Sequence, residues 1–70
     1  MTARKVMSVP EAIAAGRPTV SVPAAGEFFF DLGSAASYEA AKRGDIPTLR
    51  VGRLLRVPLK AMEAKLEAAA

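Results

Sequence analysis

Apolar positions along this chain fall into blocks, first at helical spacing, then in two short runs of β-formers, then at helical spacing again. Ser8, followed by Val9, Pro10 and Glu11, reads as an N-cap with proline in the first turn, and Gly16 closes a short helix through Ala15. So short a helix is marginal without tertiary contacts, so residues 1–17 are expected to form an N-terminal extension that is partly ordered at best. The string Ser-Val-Pro returns at Ser21, Val22 and Pro23, too little for a structural repeat and explained by chance or a shared capping habit. From there Ala24, Ala25, Phe28 and Phe29 fall at helical spacing until Asp31 and Gly33 mark a break, which predicts a first core helix over about 22–31. Ser34, at the cap position, opens an alanine-rich helix over about 35–43, and Gly44 lies just past its end, where a left-handed turn costs little. The two helices are joined by a turn of about three residues, the connection length of a helix-turn-helix.

Pro47 ends any helical tendency. Thr48 to Val51 and Leu54 to Val57 are rich in β-formers around Gly52-Arg53, which predicts a tight two-stranded hairpin. Pro58, at a helix N1 position, starts a last helix in which Leu59, Met62 and Leu66 form one apolar stripe expected to pack against the first core helix, while the final alanines fray.

The chain has 70 residues, so it forms one small domain whose core supplies roughly 3 to 5 kcal/mol net. Half of the residues are apolar but many of those are alanine, so burial is expected to rest mostly on Phe28, Phe29, Phe30, Leu32, Tyr38, Ile46, Leu49, Leu55 and Leu66. With neither cysteine nor histidine there is no disulfide, thiol nucleophile or imidazole base, and none of the soft ligands structural zinc prefers. Asp31, Glu39 and Asp45 lack the partners that acid–base chemistry needs, and Glu63 and Glu67 read as surface charges on the last helix. The expectation is a protein that is not an enzyme and takes no cofactor or metal. No apolar run approaches the ~20 residues that span a bilayer, and Pro10 and Glu11 interrupt any signal core, so a cytoplasmic protein without a membrane partner is expected.

Charge is unevenly placed. Residues 42–60 hold Lys42, Arg43, Arg50, Arg53, Arg56 and Lys60 against Asp45, a net +5, whereas the whole chain carries only +3. Such a concentration of cations faces phosphate or an acidic partner as readily as it faces solvent.

The order helix, turn, helix, Gly-Asp-Ile-Pro, basic hairpin, Val-Pro and helix resembles the excisionase family, small winged helix-turn-helix proteins of the MerR-like group. The resemblance covers about residues 19–66 and is carried by PTVSVPAAG (Pro18 to Gly26), SYEAAKRGDIP (Ser37 to Pro47) and RVGRLLRVP (Arg50 to Pro58). It implies a mainly α fold of three core helices with a two-stranded wing, occupying residues 18–68, to which the short helix read in the N-terminal extension would be an addition. It further implies a second helix in the DNA major groove and a wing along the neighbouring backbone or minor groove. Phage-encoded excisionases, recombination directionality factors, bind adjacent repeated sites cooperatively, bend the attachment DNA and steer an integrase toward excision. Other proteins of this fold repress or activate promoters. Where family members commonly carry glycine, and then a basic residue followed by Ser or Thr, this chain has Asp31 and the small, uncharged Ser34, Ala35 and Ala36. Alanine offers a base only apolar contact, so specificity is expected to lean on the wing and on DNA shape.

The expected DNA-binding residues are therefore Ser34, Ala35, Ser37, Tyr38, Lys42 and Arg43 on the second helix and Arg50, Arg53 and Arg56 on the hairpin. Lys42 is assigned to phosphate, whereas Arg43 serves equally well as a phosphate ligand or as a cation on the helix dipole. Tyr38 is assigned a packed ring with its hydroxyl at the DNA edge. Glu39 would lie off the interface or pair with Lys42 or Arg43. Arg53, beside Gly52, is suited to a narrow minor groove, and Arg50 and Arg56 contact the backbone or brace the wing against Asp45. Two other readings stand beside the excisionase: a winged-helix transcriptional regulator, and a module that uses its last helix and basic wing to dock on an acidic protein partner.

Overall fold

Both Ser-Val-Pro strings start a helix, and they do so with the same geometry. In the computed structural model, which describes residues 7–69, Ser8 and Ser21 are N-caps with nearly identical extended backbone angles, φ/ψ −72°/165° and −71°/160°. Each serine Oγ accepts the backbone N–H three residues on, and each following valine is buried. The shared string is thus a shared capping device. Residues 1–6 of the expected N-terminal extension lie outside the described residues.

The elements run α1 (Val9–Ala14), β1 (Thr19–Ser21), α2 (Val22–Phe30), α3 (Ser34–Arg43), β2 (Leu49–Val51), β3 (Leu54–Pro58) and α4 (Leu59–Ala69). The chain is mostly helical, with one three-stranded antiparallel sheet in the order β1-β3-β2. The hairpin β2–β3 turns at Gly52-Arg53 as expected, Gly52 having a positive φ of 60°. β1 was not expected. It is three residues long, too short for alternation to register, and it exists because β3 offers it a partner: Thr19 opposite Pro58, Val20 opposite Val57, Ser21 opposite Arg56. No helix among the described residues is long and apolar enough to cross a membrane.

Two capping expectations shift by one residue. Gly33, not Ser34, is the N-cap of α3, and it contributes no side-chain bond; instead the Ser37 hydroxyl donates to the Gly33 carbonyl at 2.8 Å. Pro58 still belongs to β3, so α4 begins at Leu59. The closing turns of α1 and α3 follow one pattern. Gly16 and Gly44 take positive φ angles, and the residue after each donates back to the helix, Arg17 to the Ala12 carbonyl at 2.8 Å and Asp45 to the Ala40 carbonyl at 2.9 Å.

The core is built from smaller residues than expected. Val9 and Ala12 of α1, Val20 of β1, Val22, Ala24 and Ala25 of α2, Ala40 of α3, Ile46, Val57 of β3, and Leu59 and Met62 of α4 form one buried cluster. Of the large residues expected inside, only Ile46 is fully buried; Phe29, Leu32 and Leu55 lie half-buried against the cluster, and Phe28, Phe30, Tyr38, Leu49 and Leu66 are exposed. The three phenylalanines cannot all face inward, because consecutive helix positions are turned by roughly 100°. Phe29 is the one that faces in, with Phe28 edge-on to it at a centroid distance of 5.0 Å. Val9 and Ala12 of α1 are buried in the same core as the helices that follow.

α2 and α3 are the most closely associated elements, and Gly26 is the reason. A Cβ built there would fall 1.7 Å from Ser37 Oγ and 2.5 Å from Ser37 Cβ, so the helices cross with the glycine backbone against the serine side chain. α4 follows directly from β3; its Met62 is buried in the core with Val22, Ala24 and Ala25 of α2, and Met62, Lys65, Leu66 and Ala69 line a shallow groove with Phe30 and Leu32. Lys65 of α4 donates to the Gly44 carbonyl at 2.6 Å, securing the C-terminal end of α3. The terminal alanines continue the helix as far as Ala69, consistent with alanine's high helix propensity.

Candidate nucleic-acid interface

The turn that closes the hairpin brings Arg53 to its tip, and the β2–β3 register then fixes which side chains share a face. Arg56 stands opposite Leu49 and Leu54 opposite Val51, so these four lie on one face of the sheet; Arg50, opposite Leu55, lies on the other. The two strand arginines therefore do different work. Arg56 reaches across to β1, donating from Nε to Thr19 Oγ1 at 3.3 Å and from Nη2 to the Thr19 carbonyl at 3.2 Å. Arg50 is exposed on the edge strand. Neither braces the hairpin against Asp45, which is held by Arg43 at 3.0 Å.

Between the hairpin and α3 lies a concavity of about 470 Å³. One wall is the hairpin, through Arg53, Leu54, Leu55 and Arg56; the other includes Tyr38 of α3, and the floor is β1 with Arg17 just before it. Three arginines and no carboxylate are found among its described lining residues. In a partly enclosed site such unpaired cations raise the local positive potential above what the chain's +3 suggests.

The structure brings together only some of the expected binding residues. Tyr38, Arg53 and Arg56 meet at the concavity. Tyr38 is 46% exposed, so it is not a core residue. Ser34 and Ala35 in the first turn of α3 are exposed, as is Lys42, one helical turn beyond Tyr38. Ser37 is a correction: it is 0% exposed, pressed against Gly26, and its hydroxyl is committed to Gly33, so it joins two helices and has no surface to offer DNA. Arg43 stands apart from the concavity, bound through Nε and Nη2 to Asp45 and facing a shallow groove with Phe30, Leu32 and Leu66. Glu39 is exposed and makes no ion pair with Lys42 or Arg43.

Arg17 is the residue that sequence reasoning missed. It sits 36 positions before Arg53, outside the basic window, and only the pairing of β1 with β3 carries it to the same concavity. The one local signal was the Gly16-Arg17-Pro18 stretch between a helix stop and a β-branched Thr-Val pair. No family model matches this chain, and no curated protein or solved structure matches it.

Proposed function

We propose that this chain is a winged helix-turn-helix protein that binds double-stranded DNA, and that it acts as an excisionase, an architectural factor that directs an integrase toward excision. In this reading α2 and α3 are the helix-turn-helix, α3 enters the major groove and the β2–β3 hairpin is the wing. The observation that supports it best is the arginine-lined concavity where the hairpin meets Tyr38. A duplex lying against that junction would place its sugar-phosphate backbone beside Arg53 and Arg56 while the exposed Ser34, Ala35 and Lys42 face the groove. Removing Ser37 from the reading surface leaves a short, weakly discriminating set of side chains. Phosphate contact and DNA deformability then supply most of the affinity and much of the selectivity. The resemblance of residues 19–66 to excisionases supports repeated sites occupied cooperatively, with DNA bending as the outcome.

Selecting bound duplexes from a random-sequence pool at moderate salt tests this reading. Enrichment of closely spaced direct repeats is expected, with affinity falling linearly in log [salt] by about 0.9 per phosphate contacted. Arg53→Ala should weaken binding. Enriched inverted repeats would replace the excisionase by a dimeric regulator, and negligible binding at low salt would remove DNA as the partner in favour of an acidic protein.

A further inference from the structure

Three successive residues, the last two of the α1–β1 connection and the first of β1, are tied to three different elements. The Arg17 N–H donates to the Ala12 carbonyl of α1 at 2.8 Å, the Pro18 carbonyl accepts the Leu59 N–H of α4 at 2.9 Å, and Thr19 receives both hydrogen bonds of Arg56 from β3. Gly16, at φ 73°, makes the left-handed turn that permits the first of these bonds. Val9 and Ala12 anchor α1 in the core, and Ser8 and Glu11 cap its N-terminus reciprocally, Glu11 Oε1 accepting the Ser8 N–H at 2.9 Å. The backbone is thus hydrogen-bonded at Arg17 and at the two residues after it, while the Arg17 side chain is exposed at the concavity that Arg53 and Arg56 also line. No carboxylate among the described lining residues neutralises it.

We infer that Arg17 is a DNA phosphate ligand and that α1, which lies outside the stretch resembling excisionases, is the element that presents it. The inference rests on the DNA-binding reading above and extends it: the phosphate-binding surface runs beyond the helix and hairpin onto the connection between α1 and β1. The fixed backbone matters because an arginine on a rigid base loses less conformational freedom on binding than one on a mobile arm. The contact carries no base information, so it strengthens every duplex alike.

The test compares wild type, Arg17→Ala and Lys60→Ala on one selected duplex and one unrelated duplex across a salt series. Lys60→Ala removes the same formal charge from an exposed position on α4 that does not line the concavity. Arg17→Ala should weaken both duplexes roughly tenfold at 50 mM salt and make the slope of log K against log [salt] shallower by about 0.9. Its thermal melt should be unchanged, because the side chain is exposed. Arg17→Lys should keep the slope, and Lys60→Ala should leave it unaltered. If wild type binds and Arg17→Ala keeps the wild-type slope, or if Lys60→Ala reproduces its effect, Arg17 makes no contact and the inference fails while DNA binding stands. If wild type binds neither duplex at 50 mM salt, the DNA-binding reading itself fails and takes this inference with it.

Discussion

Replacing Gly26 by alanine sets two well-known effects against each other and lets the crossing of α2 and α3 decide between them. In an isolated helix the change is favourable by about 1 kcal/mol, since alanine is the best helix former and glycine among the worst. In this fold the new methyl would stand 2.5 Å from Ser37 Cβ and 3.3 Å from Ser37 Cα. Rotating the Ser37 hydroxyl out of the way, at the loss of its bond to Gly33, relieves the 1.7 Å contact with Oγ but leaves both carbons where they are. Carbon atoms settle at about 3.5–4.0 Å, so the helices must part by roughly 1 Å along their closest line. Overpacking of this kind costs typically about 1–3 kcal/mol, and the backbone involvement places it at the upper end. The net is a destabilisation of about 2 kcal/mol, a large share of the stability of so small a domain, and roughly 8–16 °C in Tm. Thermal and urea denaturation followed by circular dichroism would measure it. The companion variant Ser37→Gly moves the space to the other helix, so the double variant Gly26→Ala/Ser37→Gly should recover much of the loss, with a coupling energy near 2 kcal/mol. A Gly26→Ala protein as stable as wild type or more so, or a double variant whose effects simply add, would refute the close crossing.

Two further substitutions test the ends of the helices. Asp31 adopts φ 58°, ψ 39°, a left-handed conformation that glycine accepts without strain, and its charge sits at the negative end of the α2 dipole; Asp31→Gly should therefore raise stability by about 0.5–1 kcal/mol in denaturant titration, and a loss would show that the side chain contributes more than the backbone strain. Ser8→Ala removes half of the reciprocal cap on α1 and should lower stability by about 1 kcal/mol, or roughly 4–8 °C in Tm, whereas an unchanged melt would mean that the cap adds nothing to the docking of this helix.

Much of the chain's local structure is legible without coordinates. The serine caps before Val-Pro, the glycines that close α1 and α3, the three-residue turn between α2 and α3, and the Gly52-Arg53 hairpin all rest on interactions within about five residues, which side-chain chemistry alone specifies. The basic window around the hairpin was equally plain, and Arg53 and Arg56 do lie at a common surface.

Side-chain size proved a poor guide to burial. A triple phenylalanine reads as core, yet helix geometry lets one of the three turn inward, and the buried volume is filled by valines, alanines, Ile46, Leu59 and Met62. Ser37 and Arg17 moved in opposite directions for the same reason. Ser37, a small polar residue on a helix read as exposed, is buried because Gly26, eleven positions earlier, leaves room for no more than its side chain. Arg17, outside every basic cluster, joins Arg53 and Arg56 because β1 pairs with β3. The sequence by itself determined, to within about a residue, where helices and turns begin and end, and where charge is concentrated, since those depend on near neighbours and composition. Only the tertiary structure decided which face of each helix is covered, that Arg56 is held by Thr19, and that Arg17 joins Arg53 and Arg56 at the concavity, since these depend on residues that the chain separates and the fold brings into contact.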